Sequence, residues 1–423
     1  MLFLKNCRYI DWQSFDITET NLILEEGPGG ALMFADELPE ITESDTVYDC
    51  GGRFVTKSFG CGHHHIYSTF ARGMPAPKKT PTKFTEILEY VWWHLDKCLD
   101  AETIEASALG AAAVCARNGV TMVIDHHSSP NAPENSLGVI KEAFDRVGVS
   151  TLLCLELSDR DGEKAREAGL EEHERFLNSG GQGHIGLHAS FTVGDDLLKR
   201  AVAMAEKFDT GVHVHVAEGL ADQEECLKHH GKRVVERFRD MGVTELKKSV
   251  FSHCVHLDDN EKRIIRDSGI WVAENIESNQ NNNVGLADYG SITDNVMLGT
   301  DGMHSDMIRS AKAAFISGQP AEGVGMDTAY DRFRNIHRYI ESSGFEGDAS
   351  NNLVILDYNS PTELRPDNFL GHFFFGLETS HVLSVVSGGR LIVKDRKLTT
   401  VDEEELFAQT SEAAKKLWER MSR

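Results

Sequence analysis

The sequence predicts an α/β fold: a (β/α)8 TIM-like barrel with a small β-sandwich-like subdomain built from both chain ends. Three observations carry this. Between residues 54 and 302 short apolar runs rich in β-branched residues alternate with longer amphipathic segments, the pattern of parallel strands joined by helical crossovers. Eight such runs can be picked out, and 423 residues suit a barrel with insertions. The outer segments, 1–53 and about 350–400, are instead short, turn-punctuated and strand-like.

Taken in order, strands are expected at 54–62, 119–125, 148–157, 184–193, 211–218, 249–257, 270–278 and 295–302. Segments such as 195–208 and 259–268 have apolar residues every three or four positions and charged flanks, so they read as helices. The barrel is thus assigned to 54–349, and the stretches 353–357, 382–386 and 390–393 join residues 1–53 in the subdomain. Within the C-terminal segment 401–423, residues 402–422 form an amphipathic helix. It starts with Glu403, Glu404 and Glu405 and ends with Lys415, Lys416 and Arg420, the polarity that a helix dipole favours. The charge run 158–167 reads as a solvated loop and helix start without a ligand of its own.

Composition excludes several classes of partner. With 43 Lys and Arg against 67 Asp and Glu, the net charge of −24 repels phosphate backbones and anionic lipid. No apolar run has the length that spans a bilayer. Eight cysteines lie scattered without a C-x-x-C pair, as in a reduced intracellular protein, so a cytoplasmic location is expected. Cys61 and Cys254 lie near candidate ligands, but neighbouring histidines supply a full set without them.

The polar clusters fall at the C-terminal ends of strand candidates, the face where such barrels place their active sites. His63 and His65 are two apart, so on an extended strand they share one face while His64 points to the other. His213 and His215 repeat that spacing, with Glu218 three residues further on; spacing alone allows either histidine as a ligand. Asp301 follows the last strand between Gly299 and Gly302, where the backbone can approach a ligand closely, and His253 ends the sixth. Any one of these could be a core histidine, but together they favour a metal site.

The series H-x-H, H-x-x-E, S-H-C and G-T-D-G resembles the mononuclear deaminase branch of the amidohydrolase superfamily. The stretches 63–68, 71–73, 124–130, 278–285 and 298–307, with 357–361 and Gly371-His372, are similar to SsnA-type aminohydrolases over nearly the whole chain. That resemblance implies His63, His65, His215 and Asp301 as ligands of one divalent ion, with Zn2+ the best match and Fe2+ or Mn2+ accepting the same donors. It also implies Glu218 as proton shuttle, His253 as the residue orienting the attacking oxygen, Asp301 as acceptor of its proton, and His188 as a substrate-facing histidine. Because the fourth strand offers His188 and no lysine, a carbamylated lysine bridging two metals is not expected. One departure stands out: Pro-Gly usually precedes H-x-H, and this chain has Thr56-Lys57-Ser58-Phe59-Gly60.

Further residues have two readings each. His126 and His127 either line the pocket or form hydrogen bonds behind it. Arg72 either holds an anionic or carbonyl group of the substrate or makes a surface ion pair. Trp92 and Trp93 read as helix packing rather than a stacking platform. The expected activity is hydrolytic deamination of an aminated purine- or pterin-like heterocycle, a small-molecule partner. A cyclic amide or C-halogen or C-S hydrolase on the same metal is the first rival, and an inactive metal-binding scaffold the second. A homo-oligomer is expected on general grounds.

Overall fold

The computed structural model describes residues 1–422; residue 423, the last of the predicted C-terminal segment, lies outside the described residues. Eight parallel strands occupy the predicted order. Phe59–His64, Val120–His127 and Ser150–Leu155 pair side by side, and Ile185–Ala189, Val212–Val216, Val250–His253, Trp271–Glu274 and Val296–Leu298 form a second parallel set. Backbone bridges Leu153↔Gly183 and Leu157↔Leu187 join the sets on one side, and His64↔Asp301 joins them on the other. Every strand residue from Val120 to His127 is buried, as expected of a parallel sheet covered by helices.

The helices start and stop where capping chemistry dictates. The Asp259–Ser268 helix opens with a reciprocal box, Asp258 accepting from Glu261 N at 2.9 Å and Glu261 from Asp258 N at 3.1 Å. Gly269 closes it at φ +72°, a conformation that costs glycine little. Asp195–Lys207 matches its prediction to within a residue, and Glu403–Met421 is capped by Asp402.

The chain ends form a nine-stranded mixed sheet. Its path runs Lys397–Leu398, Arg390–Lys394, Val382–Ser387, Leu353–Leu356, Phe54–Lys57, Leu2–Ile10, Ile17–Leu24 and Leu32–Ala35, with Thr46–Asp49 beside Leu2–Ile10. Here the structure corrects the expected first barrel strand. The predicted run 54–62 breaks at Ser58, whose N–H goes to Asn352 O at 3.0 Å while the next N–H, of Phe59, goes to Gly119 O at 2.9 Å. One continuous stretch thereby passes from the outer sheet to the inner one. The predicted strand 119–125 stops short of the observed Val120–His127, whereas the later predicted barrel strands overrun at their C-terminal ends, because the chain leaves the sheet there to build loops; Ser278 lies on a helix, Ile276–Asn281. Among the described residues no helix is long and apolar enough to cross a membrane.

A buried charge cluster fastens the outer sheet to the Met326–Ser343 helix. Asp348 lies 2.8 Å from Lys57 Nζ and 2.6 Å from His337 Nδ1, and Arg334 Nη1 donates to Lys57 O at 3.1 Å and Ser58 O at 2.8 Å. Burial alone would raise the Asp348 carboxyl, but His337 and Lys57 outweigh it and hold the group well below the usual carboxylate range. A depressed acid adds stability that is fully present above its unfolded pKa of about 3.9 and is lost as pH falls below it. Asp348→Asn is expected to cost about 3–5 kcal/mol, because it breaks a buried pair and leaves Lys57 uncompensated. Urea unfolding of both proteins should show a constant gap from neutral pH down to about 5 and a shrinking one below about 4; equal midpoints at neutral pH would remove the clamp's importance.

Candidate metal centre

At the C-terminal ends of the strands, side chains from four of them converge. His65 Nε2 lies 2.9 Å from Asp301 Oδ1 and 3.2 Å from His215 Nε2, and His63 Nε2 lies 3.4 Å from the same Asp301 oxygen. His64, between the two, points away and meets Ser305 Oγ at 2.9 Å. His213 sits beneath the cluster, its Nε2 2.8 Å from His63 Nδ1. The Nε2 atoms of His65 and His215 are oriented by main-chain partners on the other ring nitrogens: His65 Nδ1 meets His126 O at 2.6 Å and His215 Nδ1 meets His188 O at 2.9 Å. Such partners fix which ring nitrogen faces a metal.

Close approach here depends on glycine. A Cβ on Gly299 would lie 2.3 Å from Asn275 Oδ1 and 2.8 Å from His63 Cβ. Its absence lets Thr300 N and Asp301 N both reach His63 O, at 2.9 and 3.1 Å. Three non-glycine residues around the cluster adopt left-handed backbone: Ala217 at φ +47°, His253 at +73° and Asp301 at +51°. Such conformations cost about 1–3 kcal/mol each and persist where the surroundings over-determine them, commonly at functional sites. Asp222 holds the first, accepting from Ala217 N at 2.9 Å, and Tyr289 OH holds the second through His253 O at 2.7 Å.

The Ile276–Asn281 helix and the residue after it supply the supporting groups. Ser278 Oγ donates to Asp301 Oδ2, Asn279 Oδ1 pairs with His253 Nδ1 at 2.7 Å, and Asn282 Nδ2 donates to Glu218 Oε1 at 3.2 Å. His253 Nε2 then faces Glu218 Oε2 at 3.6 Å. Burial favours the neutral carboxyl of Glu218 and raises its pKa. Asp301 shows the opposite outcome: burial opposes ionisation, but the neighbouring His63 and His65 rings prevail and hold it well below the usual range. For His65, burial favours the neutral ring, yet Asp301 raises it to about 9.

The donor set suits a divalent cation. Three imidazole nitrogens and one carboxylate oxygen match Zn2+, and His63 Nε2 and His253 Nε2 are buried without a hydrogen-bond partner, as ring nitrogens aimed at an ion would be. His63, His215, His253 and Asp301 offer ligand atoms within 4.8 Å of one another.

Above the cluster lies a cavity lined by Tyr67, Phe84, Leu88, Trp92, Trp93, Asp96, Glu156, His188, Glu218 and Asn282 among others. Its roof is the segment between the first strand and the Ala101–Arg117 helix. There a single π-helical turn, Leu88–Trp92, interrupts the helix, as often happens at functional sites. The C-terminal helix holds this roof: Trp418 Nε1 donates to Phe70 O at 2.9 Å and Arg420 Nε to Cys98 O at 2.8 Å.

Of the expected substrate-side residues, His188 lines the cavity, with Nδ1 on Thr192 Oγ1 at 2.6 Å. His126 and His127 do not; His126 Nε2 meets Leu187 O and His213 O, and His127 Nε2 meets Ser129 Oγ. Arg72 is also absent from the lining and has no ion pair among the described residues. It caps the Ile66–Ala71 turn. Trp92 and Trp93, read from the sequence as packing, do line the cavity. The charge run 158–167 is a loop and helix start as read, the helix beginning at Glu163, but Arg160 is not solvated and lies between Glu156 and Asp96. Sequence reasoning missed Asp96, Glu156 and Asn282 as cavity residues. Glu156, directly after a strand end, carried the one available signal.

An α/β frame with imidazoles and a carboxylate gathered at its strand ends defines a metal-dependent hydrolase. Residues 54–330 match the model of the amidohydrolase family, and the chain belongs to that family. It is thus a hydrolase of carbon–nitrogen bonds. It is similar to a 5'-deoxyadenosine deaminase of Methanopyrus kandleri, at 29% identity over 77% of this chain and 78% of that one. It also resembles a 5-methylthioadenosine/S-adenosylhomocysteine deaminase of Caldanaerobacter subterraneus, at 24% identity over 98% of each. Among solved structures, an adenosine deaminase from Xanthomonas campestris with bound zinc superposes with a TM-score of 0.82 at 17% identity, covering 98% of both chains. The zinc complex of atrazine chlorohydrolase from Arthrobacter aurescens gives 0.80 at 17%, covering 98% and 100%.

Proposed function

We propose that this protein is a metal-dependent aminohydrolase that removes ammonia from an aminated purine- or pterin-like heterocycle. The observation that carries the reading is the buried carboxyl of Glu218, its pKa raised by burial, 3.6 Å from His253 on the rim of the His63, His65, His215 and Asp301 cluster. A divalent cation on those four residues would supply the Lewis acidity that brings the pKa of water from about 15.7 to about 7. Asp301 keeps one oxygen toward the histidines because Ser278 grips the other. His253, its ring fixed by Asn279, presents Nε2 to the attacking oxygen. Glu218 holds a proton for a ring nitrogen and then for the leaving amine. The aromatic roof keeps bulk water out, which strengthens each of these polar contacts.

The names of the deaminase relatives make adenosine-type purines the first compounds to try. Two architectural points belong to the same reading. The three bridges between the two parallel sets support a closed eight-stranded barrel. The single buried cluster joining Leu2, Leu22, Tyr48, Val55, Leu353 and Val386 supports a sandwich-like outer subdomain, with the barrel starting at Phe59 and the chain ending in its helix. The test is elemental analysis followed by ammonia release from adenosines, aminopurines and pterins. About one metal ion per chain with ammonia from one ring class is expected. Metal with substrate loss but no ammonia would shift the reading to another C-X bond, and a metal-free active protein would overturn it.

A further inference from the structure

Besides Glu218 and Asp301, the cavity is lined by carboxylates that the mechanism does not use, and one of them is Glu156. Glu156 follows the Ser150–Leu155 strand, with its N–H on His127 O at 2.6 Å and a side chain only 4% exposed. Its Oε1 receives Arg160 Nη2 at 2.7 Å. Its Oε2 makes no hydrogen bond among the described residues; the nearest polar neighbour, His126 Nδ1, is 3.5 Å away and is itself a buried, unpartnered atom. Glu156, His188 and His215 bring their donor atoms within 4.8 Å of one another, so this oxygen borders the reaction centre and not a remote surface.

Arg160 lies behind the carboxylate and is built in. Its guanidinium sits 4.9 Å over the Trp93 ring, 3.3 Å from Asp96 Oδ2 and 3.0 Å from Asp161 Oδ2, and Ser128 Oγ donates to Asp96 Oδ2 at 2.9 Å. Glu156 and Asp96 line the cavity, and Arg160 does not. Asp96 Oδ1 is buried and unpartnered as well. A ligand entering therefore meets carboxylate oxygens without a protein donor on this wall, beside the Trp93 ring, whose Nε1 is also buried and unpartnered. An ion pair kept only for stability gains little from such a place, since desolvation offsets its attraction. One free acceptor, held ionised by a cation behind it, is instead suited to recognition. Burial opposes ionisation of Glu156, but Arg160 prevails and lowers its pKa, whereas burial raises that of Glu218. The two walls thus divide into an acceptor and a proton holder.

We infer that Glu156 is a specificity-determining residue that accepts a hydrogen bond from an exocyclic amino group of the substrate. Arg160 is the positioning residue that keeps it ionised and aimed. The substrates selected are neutral or cationic heterocycles that carry such an amino group, and anionic or acceptor-only edges are rejected. This deepens the heterocycle-hydrolase reading and rests on it, but its test does not need turnover.

The test is calorimetric binding of 2-aminobenzimidazole and benzimidazole to the metal-loaded protein, for wild type, Glu156→Gln and Glu218→Gln. Both probes offer the same ring nitrogens, and at a pH high enough to keep both neutral only the first adds an amino donor. Wild type is expected to prefer the amino probe by about tenfold or more, the size of one hydrogen bond to a charged acceptor. Glu156→Gln should lose most of that preference and Glu218→Gln should keep it. No preference in wild type overturns the inference, and that measurement stands even if Glu156→Gln folds poorly. A preference unchanged in Glu156→Gln, or binding of neither probe, overturns it too. If ammonia release fails while the preference holds, the deaminase reading falls and this one remains. On any substrate that is turned over, Glu156→Gln should raise KM far more than it lowers kcat.

Discussion

Asp301→Asn is expected to leave the purified protein with little or no divalent metal and no measurable turnover. Asp301 Oδ1 is the point where the clusters from the first and last strands meet, 2.9 Å from His65 Nε2 and 3.4 Å from His63 Nε2. Removing its charge leaves three neutral-binding imidazoles, which hold a hard divalent ion less tightly. Loss of a mere supporting partner costs about 10–100-fold in metal affinity, and loss of a ligand should exceed that. Ser278→Ala gives the contrast, since it removes only the hydroxyl on Oδ2 and should stay within that range. Metal content after dialysis against a chelator of known affinity decides the matter. An asparagine variant that keeps its full metal would show that Asp301 is not a ligand.

Glu218→Gln should behave in the opposite way, keeping metal while kcat falls about 10²–10⁴-fold, the usual contribution of a positioned proton donor. The amide is nearly isosteric and can still accept from Asn282 Nδ2, so the cavity should keep its shape. It cannot deliver a proton. Melting temperature and metal content close to wild type, together with slow turnover, would assign the loss to proton transfer. Activity within a few-fold of wild type would mean that another group carries the proton, and His253, 3.6 Å away, would be examined next.

Much of this centre is legible in the sequence because strand periodicity is rigid. Residues 63 and 65 meet on one face and His64 leaves it, as a period of two requires. The same rule puts His213 and His215 on one face and does not say which is higher along the barrel. That depends on three-dimensional register, which places His215 beside His65 and His213 beneath His63. Arg160 was hidden for a different reason. It stands in a run of charges whose composition suits solvent, and only the fold brings Asp96 and Trp93 from a distant segment to it and to Glu156. The roof was obscured because a π turn breaks the periodicity that identifies a helix face. The broken first strand left no mark, since all of Phe54–Lys57 and Phe59–His64 is buried on both sides of Ser58.

That passage of hydrogen bonds at Ser58 links the fates of two layers. A chain severed after residue 57 would expose the edge of Leu353–Leu356 and deprive Arg334 of the carbonyls it holds, so neither half would be left with a finished boundary. The outer sheet is therefore not an independent folding unit carried beside an enzyme. The strand that bears His63 continues from it without a linker, and loosening the one by thermal or mechanical stress loosens the backbone under the other. Loss of activity on heating should accordingly track the melting of the terminal sheet, as one cooperative event.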